Sequence, residues 1–195
     1  MKNKKIGIIG NGNVGSAFAR GLEAAGHEVR PVGNDATTIQ QAASWAEVVF
    51  LAVPFSAIDD VIAITGETLA GKTIVDVTNA LDAEMNLALG YSTSGAEELQ
   101  RKLPEARVVK AFNTVFAQHM DSGLLGDQPL TAFVAGDDDD AKSTVLELAR
   151  SIGFDAIDGG PLQNARLLEP MGYLNIQLGY VLGMGTQIGF KLLHD

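Results

Sequence analysis

A glycine-rich turn near the start of the chain is the first feature that could do chemistry. An apolar run over Ile6–Ile9 leads directly into Gly10-Asn-Gly12-Asn-Val-Gly15, and a helix-patterned segment follows. In this order Gly10 permits a tight turn, Gly12 leaves room for a pyrophosphate, and Gly15 lets the helix pack closely on the strand. Free N–H groups at the helix start would then face the anion. The pattern predicts a dinucleotide site formed by Gly10, Asn11, Gly12, Asn13, Val14 and Gly15.

The residues after the second predicted strand, Glu28–Val32, decide how the adenosine end of such a cofactor is held. Asn34 and Asp35 stand about 20 residues past the glycines, where an acidic residue often accepts the ribose hydroxyls of NAD. Asp35 is equally suited to cap the short helix that begins at Ala36. No arginine follows this strand to bind a 2′-phosphate, although Asn34 and nearby threonines can hydrogen-bond one. The residues alone leave the choice between NAD and NADP open.

The other cofactor-facing positions follow from sheet geometry, because ligands sit at the carboxyl ends of parallel strands. Asn79 and Asn113 are the polar side chains expected near the ribose or the carboxamide, unless each is simply a turn residue. The contacts predicted at these strand ends are Ala52, Val53, Pro54, Asn79, Ala80, Phe112 and Asn113.

An acid–base group for carbonyl reduction is harder to find. Such a reaction needs a proton donor beside the hydride donor, usually histidine, lysine or tyrosine. His27 begins a strand on the wrong side of the sheet, and His194 lies in the tail. His119, a few residues past Asn113, is the only plausible candidate, although an exposed loop histidine without a catalytic role is the commoner case. Lys110 lies inside a predicted strand and is expected to be structural, so we assign no catalytic residue.

This shortage of ionisable groups favours a second cofactor as the hydride acceptor. If the hydride passes to a flavin-like ring, the two cofactors carry the reaction and the protein mainly stacks one ring against the other. Such a site needs a dry, apolar pocket. Its candidate lining residues are equally suited to the plain core: Phe116, Met171, Tyr173 and Met184.

An alternation of apolar strands and amphipathic helices must position these residues. The strands predicted after the first two are Glu47–Val53, Thr73–Val77, Arg107–Ala111, Ala132–Ala135 and Phe154–Ile157. The alternation predicts an α/β fold, a Rossmann-type doubly wound parallel sheet, and Pro31 indicates that the second strand lies at its edge. We expect an NAD(P)-binding domain over residues 1–160 and a C-terminal helical segment over residues 161–195 packed on it.

The last segment, Leu162–Leu193, is helical in pattern and rich in glycine. Gly179, Gly183, Gly185 and Gly189 have the spacing that lets another backbone come close. One interpretation is a dimer interface or a lid over the active site, and the other is a terminal helix packed on its own sheet. Polar residues interrupt the apolar run, so a membrane span is not expected.

The composition argues against several classes of function. A formal net charge of −10 disfavours nucleic acid or an anionic membrane as a partner. The lack of cysteine removes disulfides, thiolate catalysis and zinc–thiolate sites, and it fits a cytoplasmic location. The acidic run Asp137–Asp140 is better explained by a helix macrodipole than by metal binding, so no metal is predicted.

Taken together, several of these stretches resemble the oxidoreductases that pass hydride between NADP and the deazaflavin coenzyme F420. The resemblance implies NADPH as the donor, F420 or an ordinary flavin such as FMN or FAD as the acceptor, and a homodimer built around the terminal helices. Members of that family usually carry Ser-Arg or Arg-Arg where this chain has Asn34-Asp35. The stretches that carry the resemblance are Ile6–Gly15, Gly26–Val29, Ala52–Pro54, Asp76–Asn79, Val109–Thr114, Ala135–Asp138, Gly160–Glu169 and Gly183–Gly185.

We therefore expect an NAD(P)-dependent oxidoreductase that transfers a hydride from NADPH to a flavin or deazaflavin. Two alternatives stay open. A small hydroxyacid or imine dehydrogenase would need His119 or Lys110 as its acid. A non-catalytic NAD(P) sensor would bind the cofactor and change its assembly, but would oxidise nothing.

Overall fold

A sheet of seven strands, in the order β2-β1-β3-β4-β5-β8-β9, forms the centre of the molecule. The computed structural model describes residues 3–193, so His194 lies outside the described residues. A separate pair, β6 and β7, forms a small hairpin. The strands are β1 (Lys5–Ile9), β2 (Glu28–Val32), β3 (Val48–Leu51), β4 (Thr73–Asp76), β5 (Arg107–Ala111), β6 (Leu124–Leu125), β7 (Gln128–Pro129), β8 (Thr131–Gly136) and β9 (Asp155–Asp158).

Helices cover both faces of this sheet, and the sheet separates the hydrophobic core into two layers. One layer holds residues of α1 and α5, and the other holds residues of α2, α3 and α4. In the first layer the rings of Phe18, Phe50, Phe112 and Phe154 pack edge to face or tilted against one another. The helices are α1 (Asn13–Ala24), α2 (Ala36–Trp45), α3 (Ile58–Thr65), α4 (Gly95–Lys102), α5 (Asp139–Ile152) and α6 (Ala165–Ile176).

The doubly wound Rossmann-type fold predicted from the sequence is confirmed, with one correction to the strand directions. Strands β1 to β5 are parallel and β2 lies at the edge, as Pro31 indicated. Strand β8, however, runs antiparallel to β5, and β9 is parallel to β8. The link between β5 and β8 contains a short 3-10 turn, Ala117–His119, and the β6–β7 hairpin, but no crossover helix. A parallel neighbour needs such a crossover, so the chain returns in the opposite direction.

Short polar side chains define where several helices begin. Asp138 accepts a hydrogen bond from the Ala141 N–H at the start of α5, and Asp139 and Asp140 lie in the first helical turn. Asp137 instead accepts from the Leu162 N–H. The acidic run is thus largely engaged in starting a helix, as the macrodipole interpretation predicted.

The C-terminal segment is helical only in its first half. A π-helical turn, Gln177–Val181, continues α6, and residues 184–193 form no helix or strand, so the expectation of helix up to Leu193 was wrong. Positive φ angles of 73° and 76° at Gly183 and Gly185 end the helix. Residues 184–193 return to the sheet, where the Thr131 N–H donates to the Phe190 carbonyl at 3.0 Å.

The glycines of this segment permit close contacts within the chain. A Cβ on Gly179 would lie 2.6 Å from the Phe116 ring, and one on Gly189 would lie 2.6 Å from the Leu130 side chain. No helix within residues 3–193 is both long and apolar enough to cross a lipid bilayer. The division into residues 1–160 and 161–195 stays a prediction.

Folding stability should depend on pH through His27. This side chain is buried, its Nδ1 accepts from the Lys4 N–H, and its Nε2 has no hydrogen-bond partner among the described residues. Burial, followed by the charge of Lys4, lowers the pKa of the imidazole below its usual 6.5. The folded state therefore keeps the ring neutral at a pH where the unfolded chain already binds a proton. The contribution of His27 to the free energy of unfolding is fully present above about pH 6.5. It is lost as the pH falls from there towards the folded-state pKa of the ring.

Urea denaturation of the wild type and of His27→Gln at about pH 7.5 and about pH 5.5 measures this contribution. We expect the wild type to lose more unfolding free energy between the two conditions than the variant does. An equal loss in both proteins would show that His27 is not the group responsible.

Candidate functional site

A cleft of about 830 Å³ opens at the carboxyl ends of β1, β2 and β3. It is the position expected for a ligand of a parallel sheet. Helix α3 and the turn before it form the opposite wall, through residues that the sequence did not indicate, such as Asp60, Val61 and Ile64. The predicted residues that line this cleft are Gly10, Asn11, Gly12, Asn34, Ala52, Val53 and Pro54.

The three glycines of the turn are needed for different structural reasons. Gly10 has a φ of 108°, and a Cβ there would collide with the Ala52 carbonyl oxygen at the end of β3. A Cβ on Gly15 would collide with the Gly10 carbonyl oxygen. Around Gly12, by contrast, nothing lies within 4 Å of the place that a Cβ would take. Gly10 and Gly15 therefore allow the backbone to fold tightly, whereas the free space at Gly12 faces the cleft.

The N-terminus of α1 meets this free space. No side chain caps the helix, and its first turn contains no acidic residue. The Ser16 N–H is the first to bond within the helix, donating to the Gly12 carbonyl at 2.9 Å. The backbone N–H groups of Asn13, Val14 and Gly15 precede it and have no acceptor in the helix. These uncharged N–H groups and the positive end of the helix dipole together form a site that can bind an anion.

At the adenosine end, the structure shows the capping alternative for Asp35. Its Oδ1 accepts from the Thr38 N–H at 2.9 Å, at the start of α2. Asn34 lines the cleft, whereas Asp35 does not. Among the described residues that line the cleft, Asp60 is the only charged one. A contact of Asp35 with the ribose stays a prediction.

The predicted nicotinamide-side residues lie together at the ends of β4 and β5. The Asn79 amide donates to the Asn113 carbonyl, and the Asn113 amide donates to Asn79 Oδ1, both at 3.0 Å. The same Asn113 amide also donates to the Leu168 carbonyl on α6 at 2.7 Å. Asn113 Oδ1 is buried and accepts no hydrogen bond from the described residues. Gly172 permits this approach of α6, since a Cβ there would lie 2.5 Å from Asn79 Oδ1.

The neighbours of these asparagines belong to the core. Ala80 and Phe112 are fully buried, backbone included, and their contact with a cofactor stays a prediction. Phe112 has a φ of 66°, a left-handed conformation that is strained for an aromatic residue. This conformation turns the chain sharply at the end of β5 and brings Asn113 back against Asn79.

Beneath the asparagine pair lies a buried ionic cluster of Lys110, Asp76 and Glu169. Lys110 Nζ lies 2.9 Å from Asp76 Oδ2, 2.9 Å from Glu169 Oε1 and 2.6 Å from the Thr78 carbonyl oxygen. Burial alone would lower the pKa of this ammonium, but the two carboxylates outweigh that effect and hold it above the usual range. All three donor positions of the ammonium are occupied. Lys110 is thus structural, as predicted, and is not arranged to release a proton.

Sequence reasoning did not find the two carboxylates of this cluster. A signal was available for Asp76, because it ends an apolar strand and pairs in register with Lys110 on the next one. Glu169 lies on a helix about 60 residues further along, and nothing local to it indicates where that helix packs.

His119 is held away from the cleft. The ring is buried, with Nδ1 2.9 Å from the Leu124 carbonyl oxygen and Nε2 3.1 Å from the Thr186 carbonyl oxygen. Both ring nitrogens therefore contact backbone: Nδ1 contacts strand β6, and Nε2 contacts the C-terminal segment at Thr186. The expectation of an exposed loop histidine was wrong, and His119 does not line the cleft.

The residues suggested from the sequence for an apolar acceptor pocket differ in their burial and contacts. Phe116 packs edge to face on Tyr180 with ring centres 5.5 Å apart. Met171 and Tyr173 are half-buried on α6, and Met184 is exposed.

Comparison with known proteins identifies one family. Residues 5–38 and 30–80 match the family described as "NADP oxidoreductase coenzyme F420-dependent". The F420-dependent NADP reductase of Methanothermobacter marburgensis is 31% identical over 206 residues, which cover 89% of this chain and 92% of that protein. A crystal structure described as that of a candidate F420-dependent NADP reductase from Arthrobacter sp. FB24 superposes with a TM-score of 0.90. It is 31% identical and covers 98% of this chain and 100% of its own.

A second kind of relative is much longer. Metalloreductase STEAP3 of Rattus norvegicus is 34% identical over 178 residues, which cover 85% of this chain. The chain spans only 36% of the length of that protein.

The open space at Gly12 predicts a variant that folds but does not bind a dinucleotide. In Gly12→Val the side chain would occupy the space in front of the α1 N-terminus without meeting protein atoms within 4 Å of its Cβ. We expect the unfolding free energy to change by about 1 kcal/mol or less, as for other substitutions at a helix N-cap. Affinity for a nicotinamide dinucleotide should fall more than about tenfold, because the pyrophosphate can no longer reach the backbone.

Calorimetric titration and thermal unfolding measure the two effects separately. Gly90→Val is the matched control, since a Cβ there also meets nothing within 4 Å and Gly90 lies in a loop that does not line the cleft. Unchanged affinity in Gly12→Val would contradict the assignment of the cleft.

Proposed function

Because the chain belongs to the family of coenzyme F420-dependent NADP oxidoreductases, and is thus an NAD(P)-dependent oxidoreductase, we propose that it transfers a hydride from NADPH to a deazaflavin of the F420 type or to a flavin such as FMN or FAD. The observation that carries this proposal is the cleft at the carboxyl ends of β1 to β3. It joins an uncapped helix N-terminus to a turn in which Gly12 leaves free space toward the cleft.

The residues of the cleft fit the dinucleotide in chemistry and in size. Pyrophosphate would lie at Gly12, bound by the N–H groups of Asn13 and Val14, with Gly10, Asn11 and Gly15 shaping the turn. Adenosine would lie between Asn34 at the end of β2 and the apolar wall of α3. Support for the size of the site comes from its volume of about 830 Å³, within the range of cofactor and drug-sized pockets.

The proposed choice of NADPH over NADH follows from the family to which the chain belongs. The relative from Methanothermobacter marburgensis is named an NADP reductase. In this chain no lysine or arginine lines the described cleft, so a 2′-phosphate would depend on Asn34 and on the backbone and hydroxyl groups at the start of α2. Asp35 is occupied as a helix cap, which leaves it less able to select NADH through the ribose.

The nicotinamide end would lie over Pro54 and over the asparagine pair at the ends of β4 and β5. Asn113 Oδ1, which accepts no hydrogen bond from the described residues, suits an amide or hydroxyl donor of the cofactor. Asn79 holds the Asn113 backbone, and the buried Ala80 and Phe112 would support these strand ends from the core.

A flavin-type acceptor fits the way the ionisable groups are used. Carbonyl and imine reduction need a proton donor beside the hydride. In this chain Lys110 is saturated by three acceptors, and His119 contacts two carbonyl oxygens away from the cleft. In a transfer between two rings, the hydride and its electron pair leave the dihydronicotinamide for the acceptor ring, and water can supply the proton that the reduced ring takes up. These contacts also weigh against a hydroxyacid or imine dehydrogenase.

Assembly into a homodimer is the second part of the proposal. The outer face of α6 and the π turn carries an apolar stripe, in which Leu167, Leu174 and Val181 are 63%, 50% and 67% exposed and are spaced seven residues apart. Such a stripe on a helix is typical of an interface. A second copy of the chain would cover it. The cytoplasmic location expected from the sequence stays a prediction.

Direct hydride transfer is tested with NADPH deuterated at the donor carbon and with F420, FMN and FAD as acceptors. We expect oxidation of NADPH by at least one of them, with a primary isotope effect under single-turnover conditions. Cofactor binding without oxidation by any acceptor, flavin or carbonyl, would favour the sensor instead.

His119 separates the enzyme classes. We expect His119→Ala, provided that it folds, to lower the turnover less than about tenfold, because the ring acts on the C-terminal segment and on no substrate. A loss of about a hundredfold with unchanged NADPH affinity would favour general-acid catalysis by His119.

The dimer is tested by sedimentation or light scattering. Leu174→Lys should shift the assembly towards monomer, because a charge replaces the centre of the apolar stripe. Met85→Lys is the control, since Met85 is similarly exposed, at 54%, but lies in a loop away from α6. A monomeric wild type would contradict the proposal.

A further inference from the structure

The buried ionic cluster contains more negative than positive charge. Asp76, Lys110 and Glu169 are each 1% exposed or less, and two carboxylates face one ammonium. Every hydrogen bond given to the carboxylates comes from Lys110 or from a backbone N–H: Thr78 donates to Asp76, and Gly95 and Ala96 donate to Glu169. This is the pattern of two ionised carboxylates. The formal charge of the cluster is −1, reduced in part by the positive N-terminus of α4 at Gly95.

The cluster lies under the nicotinamide end of the candidate site. Lys110 donates to the carbonyl of Thr78, the residue before Asn79, and Glu169 follows Leu168, whose carbonyl accepts from Asn113. Asp76 and Lys110 close the last rung between β4 and β5 before these turns. Burial removes the cluster from solvent screening, so its field extends into the site more strongly than that of a surface carboxylate would.

On the basis of the proposed function, we propose that this cluster favours the oxidised nicotinamide. The ring carries a positive charge in NADP⁺ and none in NADPH, so a nearby negative cluster stabilises NADP⁺ and the charge that grows on the ring as the hydride leaves. The cluster acts through its field and touches no reacting atom. Asp76 and Glu169 thus stabilise bound NADP⁺ relative to bound NADPH, and they leave the equilibrium between the free reactants unchanged.

The test is the ratio of two dissociation constants, that for NADP⁺ over that for NADPH, in the wild type and in Glu169→Gln. The two cofactors differ only in the ring, so every other contact cancels in the ratio. Loss of one buried negative charge, partly compensated by the positive N-terminus of α4, should raise the ratio about fourfold. Gly95 and Ala96 donate to different oxygens of Glu169, so glutamine keeps an acceptor for one of these two N–H groups.

Glu97→Gln is the matched control. It removes the same formal charge at the contact between α4 and α6, but Glu97 is partly exposed and paired with Arg166. We expect its ratio to stay within about twofold of the wild type. A purely structural role for Glu169 would change the two dissociation constants together and leave their ratio alone.

The outcomes decide between the two proposals. A ratio within about twofold of the wild type in a folded Glu169→Gln overturns this inference and leaves the dinucleotide site standing. A wild type that binds neither cofactor overturns both. If Glu169→Gln does not fold, Asp76→Asn is measured with the same expectation. If neither folds, the wild type decides: NADP⁺ should bind at least as tightly as NADPH, and a tenfold preference for NADPH contradicts the inference.

Discussion

The contact between Gly15 and the Gly10 carbonyl oxygen is the constraint on which the candidate site depends. A Cβ on either glycine would collide with backbone, from Gly10 in one case and from Ala52 in the other. The backbone therefore packs directly against backbone where β1, β3 and the start of α1 come together. In front of the helix lie backbone N–H groups without an acceptor in the helix, and Gly12 leaves the space beside them free. An anion is the ligand that such a surface recognises best.

Helix α6 connects the other half of the site to the rest of the molecule. Its inner side supplies the Leu168 carbonyl to Asn113, the Glu169 carboxylate to Lys110 and a glycine under Asn79. Its outer side carries the apolar stripe that a second copy would cover. The helix that would form the assembly thus also holds the strand ends where the hydride would leave. The proposed dimer and the strand ends at the nicotinamide end therefore both depend on the packing of α6 against the sheet.

The sequence was most informative where local rules decide the structure. The strand-to-helix turn at Gly10–Gly15, the edge position of Pro31 and the helix start after Asp35 each depend on residues that are neighbours along the chain. The direction of β8 depends instead on how the link after β5 returns, which the strand itself does not encode. Likewise, the partners of Lys110 come from β4 and α6, and Asn113 is engaged by groups on both. Such long-range pairs leave little trace in a single sequence, so the side-chain roles at the nicotinamide end were the hardest to predict.

Side-by-side calorimetric titration of the wild type with NADPH and with NADH, at one fixed salt concentration, tests the central claim most directly. We expect one dinucleotide site per chain. We also expect NADPH to bind more tightly than NADH, although no basic residue is in the described lining of the cleft. Binding of neither dinucleotide would contradict the assignment of the cleft, and a clear preference for NADH would contradict the assignment of NADPH as the donor.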